Sequence, residues 1–102
     1  MERTPLTEDT KLRIALLFPP QQQEEVERLL TEQCGNNLPF LANSDPVQLD
    51  RFRFAALKVS SGDLPTLCRA VELAKRDWRD LLIAAGFGQI DEHRRWLPKK
   101  RW

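Results

Sequence analysis

Between Leu64 and Ala85, the residues Leu64, Leu67, Val71, Ala74, Trp78, Leu81 and Ala85 recur at alternating steps of three and four. With 3.6 residues per turn, that spacing lays all seven on one face of an α-helix more than twenty residues long. An apolar stripe of this length in a chain of 102 residues must be covered by other elements. The basic residues of the segment stay off the stripe. Asp63 supplies a start signal and Gly86 a stop signal, so the spacing predicts a helix over 63–85. Asp77 can cap a second half after a kink near Arg76, and a continuous and a kinked helix fit the pattern equally. The flanking charges form no repeating heptad pattern, which favours packing within a domain over a coiled coil.

The rest of the chain supplies shorter helices. Thr7 caps a first helix over 7–18, whose residues Leu12, Ile14, Leu16, Leu17 and Phe18 are too dense for one stripe and predict heavy burial; Pro19-Pro20 stops it. A second helix over 21–34 carries Glu24 and Glu25 near its positive end, an inward stripe of Val26, Leu29, Leu30 and Cys34, and Gly35 as its stop. Asp45, Pro46 and Gln48 open a third helix over 46–60. Leu49, Phe52, Ala56 and Val59 form one of its faces and Val47, Phe54 and Leu57 another, so it should lie centrally. Arg51 to Phe54 alternates with the period of a strand, yet Ala55-Ala56 breaks the alternation and favours helix. A last helix is expected over 90–97, ended by Pro98.

The expected fold is therefore all-α, a compact bundle of about five to six short helices (7–18, 21–34, 46–60, 63–85 with a possible kink near 76, and 90–97). One domain over 1–102 is expected, with 1–6 and 98–102 as loose termini and no internal repeat. The segment 35–45 is rich in turn formers around Leu38, Phe40 and Leu41. Those three side chains are expected to lid the core, with an exposed partner anchor as the secondary alternative.

Several function classes lose support. The apolar run Ile14 to Pro20 is far shorter than a membrane span, so no membrane partner is expected. The start Met1 to Pro5 shows no secretory pattern, which makes the cytoplasm the expected compartment. Cys34 and Cys68 form no CxxC, so both are expected reduced, with no metal, no cofactor and no disulfide scaffold. His93 is the single histidine, leaving little material for a nucleophile and base pair. The carboxylate pairs Glu24-Glu25, Asp77-Asp80 and Asp91-Glu92 sit where helix starts are expected, and Gly86 and Gly88 read as helix-ending residues. A non-catalytic protein is expected. Arg79 to Leu97 has the outline of a helix-turn-helix, but its anchor positions fall on Glu92 and Arg95.

Charge is the feature that exceeds ordinary globularity. Residues 1–50 hold nine acidic and four basic side chains, net −5, whereas residues 51–102 hold six acidic and twelve basic, net +6. The basic density peaks at the end, where Arg94, Arg95, Lys99, Lys100 and Arg101 lie beside Trp96 and Trp102. These seven residues are the candidate interaction surface. The leading expectation is a protein–protein interaction module, and the alternative is weak nucleic-acid binding by phosphate attraction plus stacking on the tryptophans. The acidic second helix facing the basic fourth would instead satisfy the charges internally. Trp78, on the long stripe, is expected as a core anchor whose indole N–H reaches a backbone carbonyl.

Overall fold

Side-chain caps fix where three of the described helices begin. In the computed structural model, which describes residues 3–39 and 41–102, the Thr7 hydroxyl accepts from the Thr10 amide and opens α1 (Glu8–Leu17). Pro20 stands at the first position of α2 (Pro20–Gln33). A reciprocal capping box between Asp45 and Gln48 starts α3 (Pro46–Ser60). Asp63 caps α4 (Leu64–Ala85) through the Thr66 amide, and the single turn α5 (Glu92–Arg95) follows. The described elements are all helical, as the sequence predicts.

α3 is the centre. It packs along α4 and also against α1 and α5. Leu49, Phe52, Phe54, Ala55, Ala56 and Leu57 are buried, which covers both of its expected faces. On α4, Leu67, Val71, Ala74, Leu81 and Ala85 enter the same core, joined by Ile14, Phe18, Val26 and Leu30 from α1 and α2. Burying each of the larger side chains contributes roughly 1.5–3 kcal/mol. The kink falls at Asp77, whose φ of −157° and ψ of 94° leave the helical region. Its Oδ1 accepts from the amides of Arg79 at 3.1 Å and Asp80 at 3.4 Å, so the carboxylate caps the helix afresh without shifting the stripe.

Several details differ from the sequence reading. The helix expected over 90–97 is only α5, because Leu97 precedes Pro98 and Trp96 already turns extended (φ −79°, ψ 123°). One turn is too short for the second helix of a helix-turn-helix. Val47 is exposed, and Leu12 faces solvent while Thr10 and Arg13 of α1 are buried. Trp78 is half-buried and packs edge-on against Phe52 at 5.5 Å; no carbonyl accepts its indole N–H among the described residues. Leu38 is buried and Leu41 packs on the core, as lid residues do, whereas Phe40 lies outside the described residues. The free thiol of Cys34 is buried and that of Cys68 exposed, so only the first has a packing role.

Both ends of the described chain are hydrogen-bonded to the helices. Arg53 is wholly buried on α3, and its guanidinium donates to three carbonyls: Cys34 (2.9 Å), Pro5 (2.9 Å) and Thr4 (2.8 Å). The Cys34 carbonyl lies at the C-terminal end of α2, where helix dipoles favour a cation. A planar, five-donor fork suits three convergent acceptors. Gly35 makes room for it, since a Cβ there would stand 2.7 Å from Arg53 Nη2. Asn36 adds a second tie, accepting from the Thr4 amide and donating to the Ala42 carbonyl. At the other end, the Arg101 amide donates to the Leu16 carbonyl at 2.9 Å, and the Trp102 indole to the Ala15 carbonyl at 2.9 Å.

Candidate functional site

The C-terminal ends of α1 and α3 meet beside the tail. Gly62, at φ +83°, permits this approach: a Cβ there would stand 2.7 Å from the Leu17 carbonyl oxygen and within 3.3 Å of the Arg101 side chain. The tail crosses both helix ends and leaves a groove of about 610 Å³ lined by Leu17, Lys58, Ser61, Trp96, Pro98 and the cations Lys99, Lys100 and Arg101. Its apolar lining comes from Leu17, Trp96 and Pro98. Four cationic side chains line it and no acidic one does.

Helix ends temper that charge. The C-termini near Leu17 and Ser61 each carry roughly half a negative charge, so about three positive charges remain in excess. The described ion pairs are Arg3–Glu32, Lys11–Glu8 and Lys75–Glu72, and none involves a groove cation or joins α2 to α4. The acidic second helix therefore does not neutralise the basic half through direct pairing.

Of the seven residues predicted from sequence, the structure brings Trp96, Lys99, Lys100 and Arg101 together around the groove. Arg94 points to a different region, a hollow of about 430 Å³ where Val47 and Phe54 stand beside the charged groups of Asp9, Arg13 and Asp50. Arg95 is exposed and lines neither. Trp102 lies beside the groove, with its N–H bound to Ala15 and the Lys100 ammonium 4.0 Å above its ring. Trp96 is half-buried against Phe54 and Phe87, at 6.3 and 6.1 Å between ring centroids. Neither tryptophan offers two free faces for base stacking.

Lys58 is the residue that sequence reasoning missed. It sits forty residues before the tail, on α3, with its ammonium 4.8 Å over the Phe87 ring. Its position in the last turn of α3 was legible, but its meeting with the tail depends on the tail's path. Val47 and Ile90 were also missed: both are exposed, and with Phe52, His93, Arg51 and Arg94 they border a smaller, more enclosed cleft of about 270 Å³.

The hollow beside α5 is held by internal bonds. Asp50 is buried and accepts from the hydroxyls of Thr7 and Thr10, both at 2.8 Å. Arg13 is buried too, donating to the carbonyls of Trp96 at 3.0 Å and Asp9 at 2.9 Å while lying 4.0 Å over the Phe54 ring. Burial lowers its affinity for the proton, and Asp9 and Asp50 oppose that shift. His93, buried between Phe54 and Phe87, has an Nδ1 without a partner among the described residues. Burial foremost, then Arg94, holds its pKa below the usual histidine value. Burial pushes the Cys34 thiol up to about 12, far from a reactive thiolate. No cluster of three metal-binding side chains exists among the described residues. No described helix is long and apolar enough to cross a membrane.

No protein-family model, curated protein or solved structure matches this chain.

Proposed function

We propose that the protein is a non-catalytic interaction module that docks an acidic segment of another protein in the groove between α3 and the C-terminal tail. The observation that carries this reading is the convergence of Lys58 with Lys99, Lys100 and Arg101 around an acid-free, partly apolar groove. Cations that form no ion pair among the described residues attract anions and steer their encounter. The apolar lining from Leu17, Trp96 and Pro98 suits the apolar side chain of a peptide. A peptide is favoured over a nucleic acid because Trp96 packs internally and Lys100 covers one face of Trp102, which leaves little of the stacking platform that sequence-tolerant nucleic-acid binding uses. A reducing compartment such as the cytoplasm suits the two free thiols.

The test is competition at low salt between a labelled glutamate-rich peptide carrying one leucine and a thymidine oligonucleotide of equal charge. Saturable peptide binding that the oligonucleotide displaces poorly supports the reading. Preference for the oligonucleotide would replace the reading with nucleic-acid binding, and absence of saturable binding to either would end both.

A further inference from the structure

The tail that walls the groove is attached to the rest of the protein in an unusual way. In a continuing helix the carbonyls of Ala15 and Leu16 would receive the amides of residues 19 and 20. Both positions are proline and carry no N–H. The tail supplies the two donors instead: the Trp102 indole N–H meets the Ala15 carbonyl and the Arg101 amide meets the Leu16 carbonyl, each at 2.9 Å. Three cations of the same tail stand near the negative end of α1, whose own last turn contains no basic residue. The attachment is polar and peripheral, since Lys99, Lys100, Arg101 and Trp102 are all exposed.

We propose that residues 98–102 are a detachable strap, and that its docking on α1 and anion binding in the groove are coupled. The coupling rests on the acidic-partner reading and follows from geometry. Lys58 belongs to α3 and stays in place, whereas Lys99, Lys100 and Arg101 line the groove only while the strap is docked. A ligand that touches both sets binds the docked form and not the open one, so it must draw the strap down by its differential affinity. Conversely, whatever loosens the bonds to Ala15 and Leu16 weakens the groove. The strap is thus both a helix cap and a gate on affinity.

The experiment is amide hydrogen exchange at Arg101 in the full chain, with and without the leucine-bearing glutamate peptide. Opening of the strap exposes this amide. If the peptide binds only the docked form, a free concentration about 100 times its Kd slows exchange about 100-fold. Trp102→Phe keeps an aromatic ring but removes the donor, and should speed Arg101 exchange about fivefold without any peptide, the effect of losing one hydrogen bond. A saturated groove with unchanged Arg101 exchange would overturn the coupling and leave the acidic-partner reading standing. Fast, unprotected exchange at Arg101 in the free protein would overturn the strap itself. If the peptide fails to bind while Arg101 is protected, the acidic-partner reading fails and the coupling with it, and the docked tail remains as a helix cap alone.

Discussion

The indole nitrogen of Trp102 donates to the carbonyl oxygen of Ala15 at 2.9 Å, filling the place of an amide that Pro19 does not have. Two residues 87 apart in sequence thereby finish one helix. The relationship explains why a chain end rich in lysine and arginine lies along the protein surface: it caps α1 with donors and complements the helix dipole with charge. The same docking lays its cations against Lys58 and creates the groove.

Removing that donor should cost little stability. Trp102→Phe is expected to lower the unfolding free energy by about 0.5–1.5 kcal/mol, the net worth of one hydrogen bond. Urea denaturation with an unchanged m-value checks this. A loss several times larger would mean that the ring itself, and not its N–H, holds the tail.

Arg53 should be far less tolerant. Arg53→Met deletes three donors and leaves the carbonyls of Thr4, Pro5 and Cys34 without their partner, at about 1–3 kcal/mol for each one left buried and unsatisfied. Arg53→Lys keeps the charge but replaces the planar fork by a single ammonium, and is expected to recover only part of the loss. Thermal unfolding of the two variants beside the parent chain measures the difference.

Gly35→Ala tests the same buried guanidinium from the other side. The added Cβ would stand 2.7 Å from Arg53 Nη2, so the fork must move off its carbonyls or the loop must shift. A destabilisation of about 1–3 kcal/mol is expected, in the range of overpacked cores. An unchanged unfolding midpoint would show that the site has slack.

His93 should make the fold sensitive to acid. Its folded-state pKa lies below the ordinary histidine value, through burial and then Arg94, with Arg51 acting in the same direction and Asp50 and Asp91 opposing. The unfolded chain titrates near the ordinary value of about 6.5 and takes up protons there that the folded chain refuses. Stability from this group is present above that value and is lost as pH falls toward the folded-state pKa. His93→Gln should flatten the dependence of unfolding free energy between about pH 7.5 and about pH 5. Equal slopes in the parent and the variant would contradict the assignment.

Local signals carried most of the fold. Thr7, Asp45, Asp63 and Gly86 stand at helix boundaries because capping depends on neighbours a few residues away, and the stripe from Leu64 to Ala85 keeps its face through the break at Asp77. Residues whose role depends on distant partners were not legible. Arg53 looks like half of a strand-like alternation with Arg51 until the Thr4 and Pro5 carbonyls arrive beside it. Trp102 reads as a loose end until two prolines near residue 20 leave it carbonyls to bind. The basic tail was visible as charge, but Lys58, the member that turns a charged tail into a groove, is an ordinary exposed lysine in sequence.

Charge reversal on each side of the groove, read as affinity for the leucine-bearing glutamate peptide at fixed low salt, separates a built site from general basicity. Lys58→Glu on α3 and Lys99→Glu on the tail should each weaken binding tenfold or more, about 1.4 kcal/mol, while Arg69→Glu on the exposed surface of α4 makes the same change in net charge with little effect. Circular dichroism confirms that each variant remains helical. Binding by Lys58→Glu at parent affinity, or an equal loss in Arg69→Glu, would contradict a groove built from α3 and the tail.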